Sequence, residues 1–386
     1  MARKRIEKNL AYDDEKGLYY AYFDYGRDES GRRLRQTKTF PEQKAAKLAL
    51  LDFEADKLRG SLKVPSQVTL ADWLAYWLED VIRPNREYTT YYCYLCIIKK
   101  HIAPGLGHIP LQKLTPWQIQ QYYTTAMREK GLSPNSVHKH HILLHTALKL
   151  AYRQGILAEN PVSKVEAPRE RPPRQVYYTP AQLRRLFQAA EGTWLEAVVK
   201  LGGYLGLRRG EICGLRWENV DLDRQIIRIQ VTRTTVGHET VEKTPKTASS
   251  IRTLGIGGLE DLTSLLHQLR SEQIKRKKEL GSRYQDSGYV LTQEDGSPRN
   301  PNQVTQALQR FVAKHQLPPI TVHGLRHTFA SVANSAHIPL LEIGRTLGHK
   351  DISITGRIYT HLFDQTYREV LDTVATQIGG ADLAMQ

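Results

Sequence analysis

The chain has 386 residues, of which 40% are hydrophobic, and this is enough apolar material for two or three domains. It carries 55 Lys and Arg against 40 Asp and Glu, so its formal net charge of +15 favours a polyanion as partner over a merely basic soluble protein. Three cysteines are too few for a disulfide framework, which favours a reducing cytosol. No apolar run is long enough for a membrane span, and the first residues lack a secretory signal, so we expect a cytoplasmic protein without membrane contact.

The first 64 residues, 1–64, are predicted to form a small separate module. Residues 18–25 are rich in strand formers, residues 26–31 carry turn formers, and residues 33–40 alternate as a second strand. The two runs therefore predict a β-hairpin. Pro41 then opens a helix whose apolar positions share one face, so we expect the helix to cover one side of the sheet.

The uncovered side of this hairpin is expected to be basic. It would carry Arg33, Arg35 and Lys38 together with neighbouring tyrosines. A basic β-ribbon is one of the shapes that fit the major groove of DNA, so these three side chains are candidates for DNA contact. The alternative is a solvated hairpin that only stabilises the start of the chain.

Residues 65–166 are predicted to form a bundle of helices after a linker at 60–66. Thr69 caps the first helix, and an apolar stripe with i, i+3, i+4 and i+7 spacing follows it. A second helical run leads to Pro104, and further helix starts lie at Thr115 and Ser133, which makes four helices. The polar faces of this bundle offer further candidates for DNA contact, namely Lys99, Lys100 and Lys139.

Two groups in this region have residue types that can bind metals. Cys93 and Cys96 look like half of a zinc site, but no second pair is near, so we interpret them as small packing residues on one helix face. A histidine cluster consists of His138, His140, His141 and His145. No carboxylate or cysteine completes its ligand set, so phosphate contact or surface exposure is favoured and no metal is predicted.

Residues 167–176 are predicted to be an extended linker, because their prolines deny them helix and sheet partners. The linker is positively charged, and Arg169 and Arg171 are further candidates for contact with DNA phosphates. It would join the bundle to a second large domain, 177–386, and let the protein close around a duplex.

The last half of the chain holds side chains suited to phosphodiester chemistry. His323, Arg326, His349 and Tyr359 supply two imidazoles, a guanidinium and a phenol within a short stretch. A phenol has a pKa near ~10, so a tyrosine nucleophile must lose its proton as it attacks. A guanidinium can hold two phosphate oxygens at once and stays protonated, so an arginine suits the neutralisation of the phosphate.

A second arginine and a lysine lie upstream. Arg208 points from the start of a short helix with one apolar face, and Glu211, three residues on, is placed to hold it. Lys246 lies in a turn between strand-like runs that we expect to pair as one small antiparallel sheet. These runs are 225–232, 240–243 and 251–256.

Together these motifs resemble the tyrosine recombinases, also called phage-type integrases. The matching sets, in the family's order, are Gly206-Leu207-Arg208-x-Gly210-Glu211, Lys246-Thr247-x-x-Ser250-x-Arg252, His323-x-Leu325-Arg326-His327, Leu347-Gly348-His349 and Tyr359-x-His361. Any single set is weak evidence, whereas their joint occurrence is specific. The resemblance implies a multi-domain α+β fold: a small N-terminal β-sheet plus helix module, a four-helix core-binding bundle, and a mainly α catalytic domain with a small antiparallel sheet.

The resemblance also implies a site-specific recombinase that cleaves and rejoins DNA. Its catalytic side chains would be Arg208, Lys246, His323, Arg326, His349 and Tyr359, with Glu211 in support. Tyr359 would attack the scissile phosphate and form a 3′-phosphotyrosine. The two arginines would hold the non-bridging oxygens, the two histidines would donate hydrogen bonds or relay a proton, and Lys246 would protonate the departing 5′-oxygen. Because one phosphoester replaces another of similar energy, no cofactor is expected.

Larger members of this family carry an N-terminal three-stranded module with a helix that binds accessory arm sites in DNA. Residues 1–64 are similar in size, order and charge, which favours integration and excision of a phage or conjugative mobile element. The family further implies a tetramer on two duplexes, with a directionality factor or a host DNA-bending protein as additional partners, at the nucleoid. The segment after Tyr359 packs either in its own domain or on a neighbouring protomer.

Two alternative functions remain open at this point. A type IB-like DNA topoisomerase shares the chemistry but relaxes DNA without sequence preference. A non-catalytic DNA-binding regulator would keep the basic modules and would not need the nucleophile.

Overall fold

The structure is a computed structural model that describes residues 3–27, 33–58, 68–171, 176–237, 239–243 and 251–348. Three of the predicted catalytic residues, Lys246, His349 and Tyr359, lie outside the described residues, as do the linker at 60–66 and most of the turn at 26–31. The chain separates into two compact units, Met1–Pro172 and Pro173–Gln386. This division falls inside the predicted linker, 167–176, whereas the separation of the first 64 residues from the bundle stays a prediction.

The amino-terminal unit begins with a four-stranded antiparallel sheet in the order β1-β2-β3-β4. Its strands are Lys4–Glu7 (β1), Leu10–Asp13 (β2), Leu18–Arg27 (β3) and Arg33–Phe40 (β4). The predicted hairpin is confirmed, because β3 and β4 pair antiparallel along their length. The family resemblance implied three strands, and the sheet has one more, since the short and mostly exposed β1 gives little alternation to recognise.

Helix α1, Gln43–Leu58, covers one face of this sheet, as its apolar spacing predicts. The Phe53 ring meets Phe23 of β3 edge to face, with centroids 5.2 Å apart, and Ala46 is fully buried beside them. Aromatic pairs favour this edge-to-face geometry, so the pair fixes the helix against the sheet.

The basic residues of β4 divide between the two faces of the sheet. Successive side chains of a strand point to opposite faces, so Arg33 and Arg35 share one face and Lys38 lies on the other. Lys38 pairs with Ala21, which is fully buried, and its ammonium lies 5.1 Å from the Phe23 ring, on the helix side. The prediction that Lys38 belongs to the open face is therefore wrong.

Residues 68–171 contain four long helical runs around one core, which confirms the predicted bundle. In the first run, α2 (Leu70–Tyr76) continues through π-helical turns at Trp77–Ile82 into α3 (Arg83–Asn85). In the second run, α4 (Tyr88–Ile97) continues through π-helical turns at Ile98–Ile102 into α5 (Ala103–Leu106). The third and fourth runs are single helices, α6 (Pro116–Arg128) and α7 (Pro134–Arg153). The caps are as predicted: Thr69, Thr115 and Ser133 each accept a hydrogen bond from the backbone N–H three residues on. Local capping chemistry therefore sets where these helices begin.

The cysteine pair of α4 does not pack as predicted. Cys93 is exposed and Cys96 is only partly covered, so the interpretation of both as packing residues on one helix face is wrong. The apolar side of this run is supplied by larger residues, among them Tyr91, Ile98 and Ile102, which are buried.

The histidines of α7 occupy two different environments. His140 is buried, with its Nδ1 2.9 Å from the Tyr122 hydroxyl and its ring stacked on His101. His138, His141 and His145 instead stack along a second face, with successive centroids 6.1 and 6.2 Å apart. Among the described residues, no group of three or more His, Cys, Asp and Glu is arranged to hold a metal.

The described part of the predicted linker, 167–171, has no regular secondary structure and is attached to α7. The Asn135 side chain bonds both the carbonyl and the N–H of Arg171, at 2.7 and 2.8 Å, and the His138 Nδ1 donates to the Pro168 carbonyl. The linker therefore leaves the bundle along a fixed path as far as Arg171.

The described part of the carboxyl-terminal unit is mainly helical and carries two small antiparallel sheets. In chain order its elements are α8 (Pro180–Ala190), α9 (Leu195–Leu205), α10 (Arg209–Gly214), β5 (Val220–Asp221), β6 (Ile226–Ile229), β7 (Thr232–Val236), β8 (Glu239–Lys243), β9 (Arg252–Gly255), α11 (Glu260–Leu280), α12 (Pro301–Lys314), α13 (Val322–Ser335) and α14 (Leu340–Leu347). The sheets have the orders β5-β6-β9 and β7-β8, so the prediction of a single sheet is wrong.

The predicted strand 225–232 breaks because the chain turns there to run against α10. A Cβ added at Gly214 would lie 2.8 Å from the Val231 carbonyl, and one added at Gly210 would lie 2.9 Å from the Arg233 carbonyl. The two glycines therefore let the backbone of β7 approach the helix, and this contact draws β7 away from β6.

Helix α9 forms the centre of this unit. Ten of its residues are buried, including Glu196 and Lys200, which pair at 2.8 Å. A helix that is buried on all sides lies in the interior of its domain, and α8, α11, α12 and α13 all contact α9. None of the helices in the described ranges is long and apolar enough to cross a bilayer.

The substitution His140→Gln is expected to remove a pH dependence from the bundle. The pKa of His140 is lowered to about 4, first by burial and then by the nearby His101 and Lys130. At pH values between the ordinary histidine pKa of ~6.5 and this lowered pKa, His140 is protonated in the unfolded chain and neutral in the folded bundle. The free energy of unfolding should therefore fall by up to about 3 kcal/mol on acidification through this window, and less in the variant.

Urea unfolding between pH 4.5 and pH 7.5, read from hydrogen exchange in the bundle helices, measures this effect. His108→Gln, at an exposed histidine of the same bundle, is the matched control and should keep the full pH dependence. Equal pH dependence in the two variants would show that His140 does not resist protonation.

Candidate active site

Arg208 lies at the N-cap of α10, where its side chain and backbone both meet Glu211. The Arg208 Nη1 donates to Glu211 Oε1 at 2.7 Å, and its backbone N–H donates to Oε2 at 2.9 Å. The Glu211 side chain is 1% exposed, whereas the Arg208 side chain is 37% exposed. The predicted support of Arg208 by Glu211 is thus present in the structure, and it leaves the guanidinium at the surface.

Arg252 of β9 is a second partner of Glu211, and no role was predicted for it. Its Nη1 and Nη2 donate to the two carboxylate oxygens of Glu211, at 3.1 and 2.9 Å. The sequence signal was present, because Arg252 ends the motif that contains Lys246. Burial acts to raise the pKa of the Glu211 carboxyl, but Arg252 and then Arg208 outweigh it, so this pKa lies below its ordinary value.

Arg326 of α13 lies where two helices end. Its Nη1 donates to the Gly206 carbonyl at the end of α9, at 2.8 Å, and its Nη2 donates to the Leu347 carbonyl at the end of α14, at 2.6 Å. Arg326 is 2% exposed. The negative ends of two helix dipoles surround the cation and offset the cost of its burial.

All three guanidinium groups reach the last turn of α14. Arg252 Nε donates to the Thr346 carbonyl at 2.6 Å, Arg326 donates to that of Leu347, and Arg208 Nη2 donates to that of Gly348 at 3.3 Å. We name these three consecutive carbonyls, of residues 346–348, the α14 carbonyl triplet. Three arginines that are far apart in the sequence thus converge on one point in the fold.

His323 lies close to the same arginines. The helix α13 begins at Val322, because Thr321 accepts a hydrogen bond from the Gly324 N–H. His323 therefore precedes Arg326 by one helical turn. The His323 side chain is solvent-exposed. Partial desolvation by the surrounding protein, followed by the charges of Arg326 and Arg208, lowers the pKa of His323, so its imidazole is neutral at pH 7 and keeps one donor and one acceptor nitrogen.

The structure therefore brings together Arg208, Glu211, His323 and Arg326 of the predicted site, and it adds Arg252. Three guanidinium charges against one carboxylate leave this region positive, which suits a tetrahedral oxyanion. Every predicted DNA-contact side chain belongs to the amino-terminal unit and is exposed. These side chains are Arg33, Arg35, Lys38, Lys99, Lys100, Lys139, Arg169 and Arg171.

Comparisons with known proteins agree on one family. The family described as "Phage integrase family" matches residues 177–366, and "Phage integrase, N-terminal SAM-like domain" matches residues 69–127. A tyrosine recombinase XerC-like protein of Caldanaerobacter subterraneus subsp. tengcongensis is 28% identical over 382 residues, which cover 93% of this chain and 96% of that protein.

Two solved structures show a similar fold. The Tn1549 transposon integrase in complex with transposon right end DNA has a TM-score of 0.66 at 22% identity, over 80% of this chain and 99% of that chain. A lambda integrase tetramer bound to a Holliday junction has a TM-score of 0.57 at 20% identity, over 92% of this chain and 96% of that chain. At these identities the likeness establishes the fold.

The chain belongs to the phage integrase family, that is, to the tyrosine recombinases. It is a site-specific recombinase that cleaves and rejoins DNA. The multi-domain α+β fold expected from the sequence is confirmed.

Gly206→Ala is expected to destabilise the carboxyl-terminal unit more than Gly192→Ala. Both glycines have positive φ, +61° and +71°, so each alanine costs about 1–2 kcal/mol of backbone strain. An added Cβ at residue 206 would also lie 2.6 Å from Leu347 Cδ2 and 2.9 Å from Phe329 Cδ1, whereas at residue 192 it meets no atom within 4 Å. This clash should add about 1–3 kcal/mol to the loss.

Urea unfolding of the two variants measures the difference in their free energies of unfolding. Equal losses would contradict the close approach of α9 to α14 that carries the Arg326 contacts.

Proposed function

We propose that this recombinase integrates and excises a mobile genetic element, with Tyr359 as its nucleophile. The phenolic oxygen attacks the scissile phosphate, forms a 3′-phosphotyrosyl bond and releases a 5′-hydroxyl. The released hydroxyl of a partner strand then attacks the phosphotyrosine and restores the DNA backbone. One phosphoester replaces another in each step, so the scheme needs no ATP.

The convergence of Arg208 and Arg326 on adjacent carbonyls carries this proposal. A phosphate undergoing attack gathers negative charge on its non-bridging oxygens, and preorganised guanidinium groups stabilise that charge. Arg208 is half-exposed and reaches a phosphate from the surface. Arg326 is buried, so in this proposal the chain that covers it moves aside when DNA binds.

The remaining side chains supply proton chemistry in this scheme. Partial desolvation and the nearby arginines lower the pKa of the exposed His323, so it is neutral at pH 7 and donates a hydrogen bond to phosphate without adding a full charge. His349 follows the α14 carbonyl triplet directly in the sequence and acts with His323. Lys246 protonates the departing 5′-oxygen, whose pKa is otherwise too high for it to leave.

The amino-terminal unit grips DNA in this proposal. The bundle presents Lys99, Lys100 and Lys139 to the core recombination site, and the open face of the first sheet presents Arg33 and Arg35 to an accessory arm site. On that face the Arg35 guanidinium lies 4.3 Å from the Tyr22 ring centroid, which holds its charge at the surface. Exposure and positive charge support these roles.

We further propose that the protein acts as a tetramer on two duplexes, in the cytoplasm at the nucleoid. The lambda integrase tetramer bound to a Holliday junction supports the assembly, since its fold matches 92% of this chain. The Tn1549 transposon integrase with transposon right end DNA supports a mobile element as substrate. A directionality factor or a host DNA-bending protein would select between integration and excision.

Arg208→Ala and Arg326→Ala are each expected to slow covalent adduct formation by a factor of hundreds or more, because each removes a preorganised donor worth ~2.7–4 kcal/mol. Tyr359→Phe should bind DNA normally and form no adduct. The measurement is a single turnover on nicked suicide duplexes that carry candidate attachment junctions, followed by mapping of the adducted residue. An adduct on a residue other than Tyr359 would overturn the assignment of the nucleophile.

The same reagents separate the alternative functions. A type IB-like topoisomerase would relax plasmids that lack an attachment junction, and it would lose that activity in Tyr359→Phe. A non-catalytic regulator would form no adduct in any variant. The recombinase joins two junctions and leaves plasmids without a junction unchanged.

Arg35→Ala is expected to reduce the salt dependence of DNA binding, and Lys38→Ala is its matched control on the same strand. Only Arg35 lies on the open face, so only its loss removes a phosphate contact. The slope of log K against log salt should become shallower by ~0.9 for Arg35→Ala. Equal changes in both variants would show that the open face of the sheet is not the DNA-binding face.

A further inference from the structure

We propose that Arg252 is a positioning residue for strand cleavage, which holds Arg208 through Glu211 and joins both to the end of α14. The inference rests on the proposed function and assigns a role to a residue that touches no reacting atom. It follows from three features of the described residues: the filled carboxylate of Glu211, the balance of charge around it, and the bond to Thr346.

The first feature is that hydrogen-bond donors occupy all the acceptor sites of the Glu211 carboxylate. A carboxylate has about four lone-pair sites. Oε1 accepts from Arg208 Nη1 and Arg252 Nη1, and Oε2 accepts from the Arg208 backbone N–H and Arg252 Nη2, all at 2.7 to 3.1 Å. The two-pronged bond from Arg252 fixes the plane of the carboxylate, so the direction in which Glu211 holds Arg208 is fixed too.

The second feature is the charge on Arg208. With Arg208 as its only cation, the buried carboxylate of Glu211 would neutralise the guanidinium that is needed for phosphate. Arg252 supplies a second positive charge to the carboxylate, with its side chain only 7% exposed. The half-exposed Arg208 therefore keeps its attraction for an anion.

The third feature is the bond from Arg252 Nε to the Thr346 carbonyl, at 2.6 Å. Thr346 begins the α14 carbonyl triplet, whose other members accept from Arg326 and Arg208. One side chain of β9 thus connects the start of α10 to the end of α14. Arg252 thus joins the element that carries Arg208 to the end of α14, whose Leu347 carbonyl holds the Arg326 guanidinium, and this bond helps to keep the two arginines of the proposed phosphate site at a fixed separation.

The test compares Arg252→Met with Arg233→Met, which removes another buried arginine of the same unit. Arg233 donates to the carbonyls of Cys213 and Arg299, and within the described ranges it has no hydrogen bond to Arg208, Glu211, His323 or Arg326, so its loss serves as the control for stability. The substrate is the nicked suicide duplex on which the unsubstituted protein forms its Tyr359 adduct. We expect adduct formation to slow by about a hundredfold in Arg252→Met alone, with DNA binding changed less than about threefold.

A second measurement distinguishes positioning from a general loss of structure. The duplex is remade with a methylphosphonate at the scissile position, which removes the phosphate charge that Arg208 must neutralise. Arg208→Ala and Arg252→Met should then both recover part of their rate relative to the phosphate substrate, and Arg233→Met should show no recovery. A defect of Arg252→Met that is equally large on both substrates would overturn the proposal.

A third measurement checks that Arg252 acts through Glu211. The variant Glu211→Gln combined with Arg252→Met should be no slower than the slower single variant, because both changes damage one unit. If the fold loss in the rate of the double variant equalled the product of the two single losses, Arg252 would act independently of Glu211, and this result would also overturn the proposal. If Arg252→Met does not fold, Arg252→Lys replaces it, since it keeps the charge without the two-pronged bond and should slow cleavage about tenfold.

The outcomes separate this inference from the proposed function. Absence of a Tyr359 adduct with the unsubstituted protein would overturn the proposed function. A normal adduct rate in Arg252→Met, with the unsubstituted protein active, would overturn the role of Arg252 alone.

Discussion

The buried cation of Arg326 is the constraint on which the carboxyl-terminal unit depends. A guanidinium at 2% exposure is stable only where acceptors surround it, and here the acceptors are carbonyls at the ends of α9 and α14. Both helices end in a left-handed glycine, Gly206 and Gly348, and this turns the final carbonyls towards the centre of the site. One buried side chain therefore binds the ends of two helices at once.

The site also depends on the Glu211 carboxylate, which binds both Arg208 and Arg252. Glu211 is buried and ionised, and it stays so because two cations outweigh the cost of its burial. Its position three residues after Arg208 fits one helical turn, whereas Arg252 approaches from a strand 41 residues away in sequence. Glu211 thus has one partner within its own helical turn, Arg208, and one from a distant strand, Arg252. Both arginines belong to the family motifs.

The sequence predicted those parts of the structure that local chemistry decides. Thr69, Thr115 and Ser133 mark helix starts because a side-chain oxygen caps an N–H three residues on, and that bond needs no distant partner. The pairing of Arg208 with Glu211 could be predicted for the same reason. In both cases the interacting groups lie within one turn of a helix.

The parts that were missed depend on distant contacts. The strand at 225–232 breaks where its backbone meets the glycines of α10, and no pattern within the strand reports that meeting. The same holds for Arg252, whose partners Glu211 and Thr346 come from two other elements. The placement of Lys38 is different, because the alternation of side chains along the strand already puts it on the face opposite Arg33 and Arg35, and no distant contact is needed to predict it.

The α14 carbonyl triplet has a consequence for the protein before it meets DNA. A cluster of cations usually draws in water or stray anions, which an incoming phosphodiester must first displace. Here the peptide backbone already supplies oxygen atoms to each guanidinium. In the proposed mechanism, an incoming phosphate would then replace these backbone oxygens on Arg208 and Arg326, whereas Arg252 would keep its own.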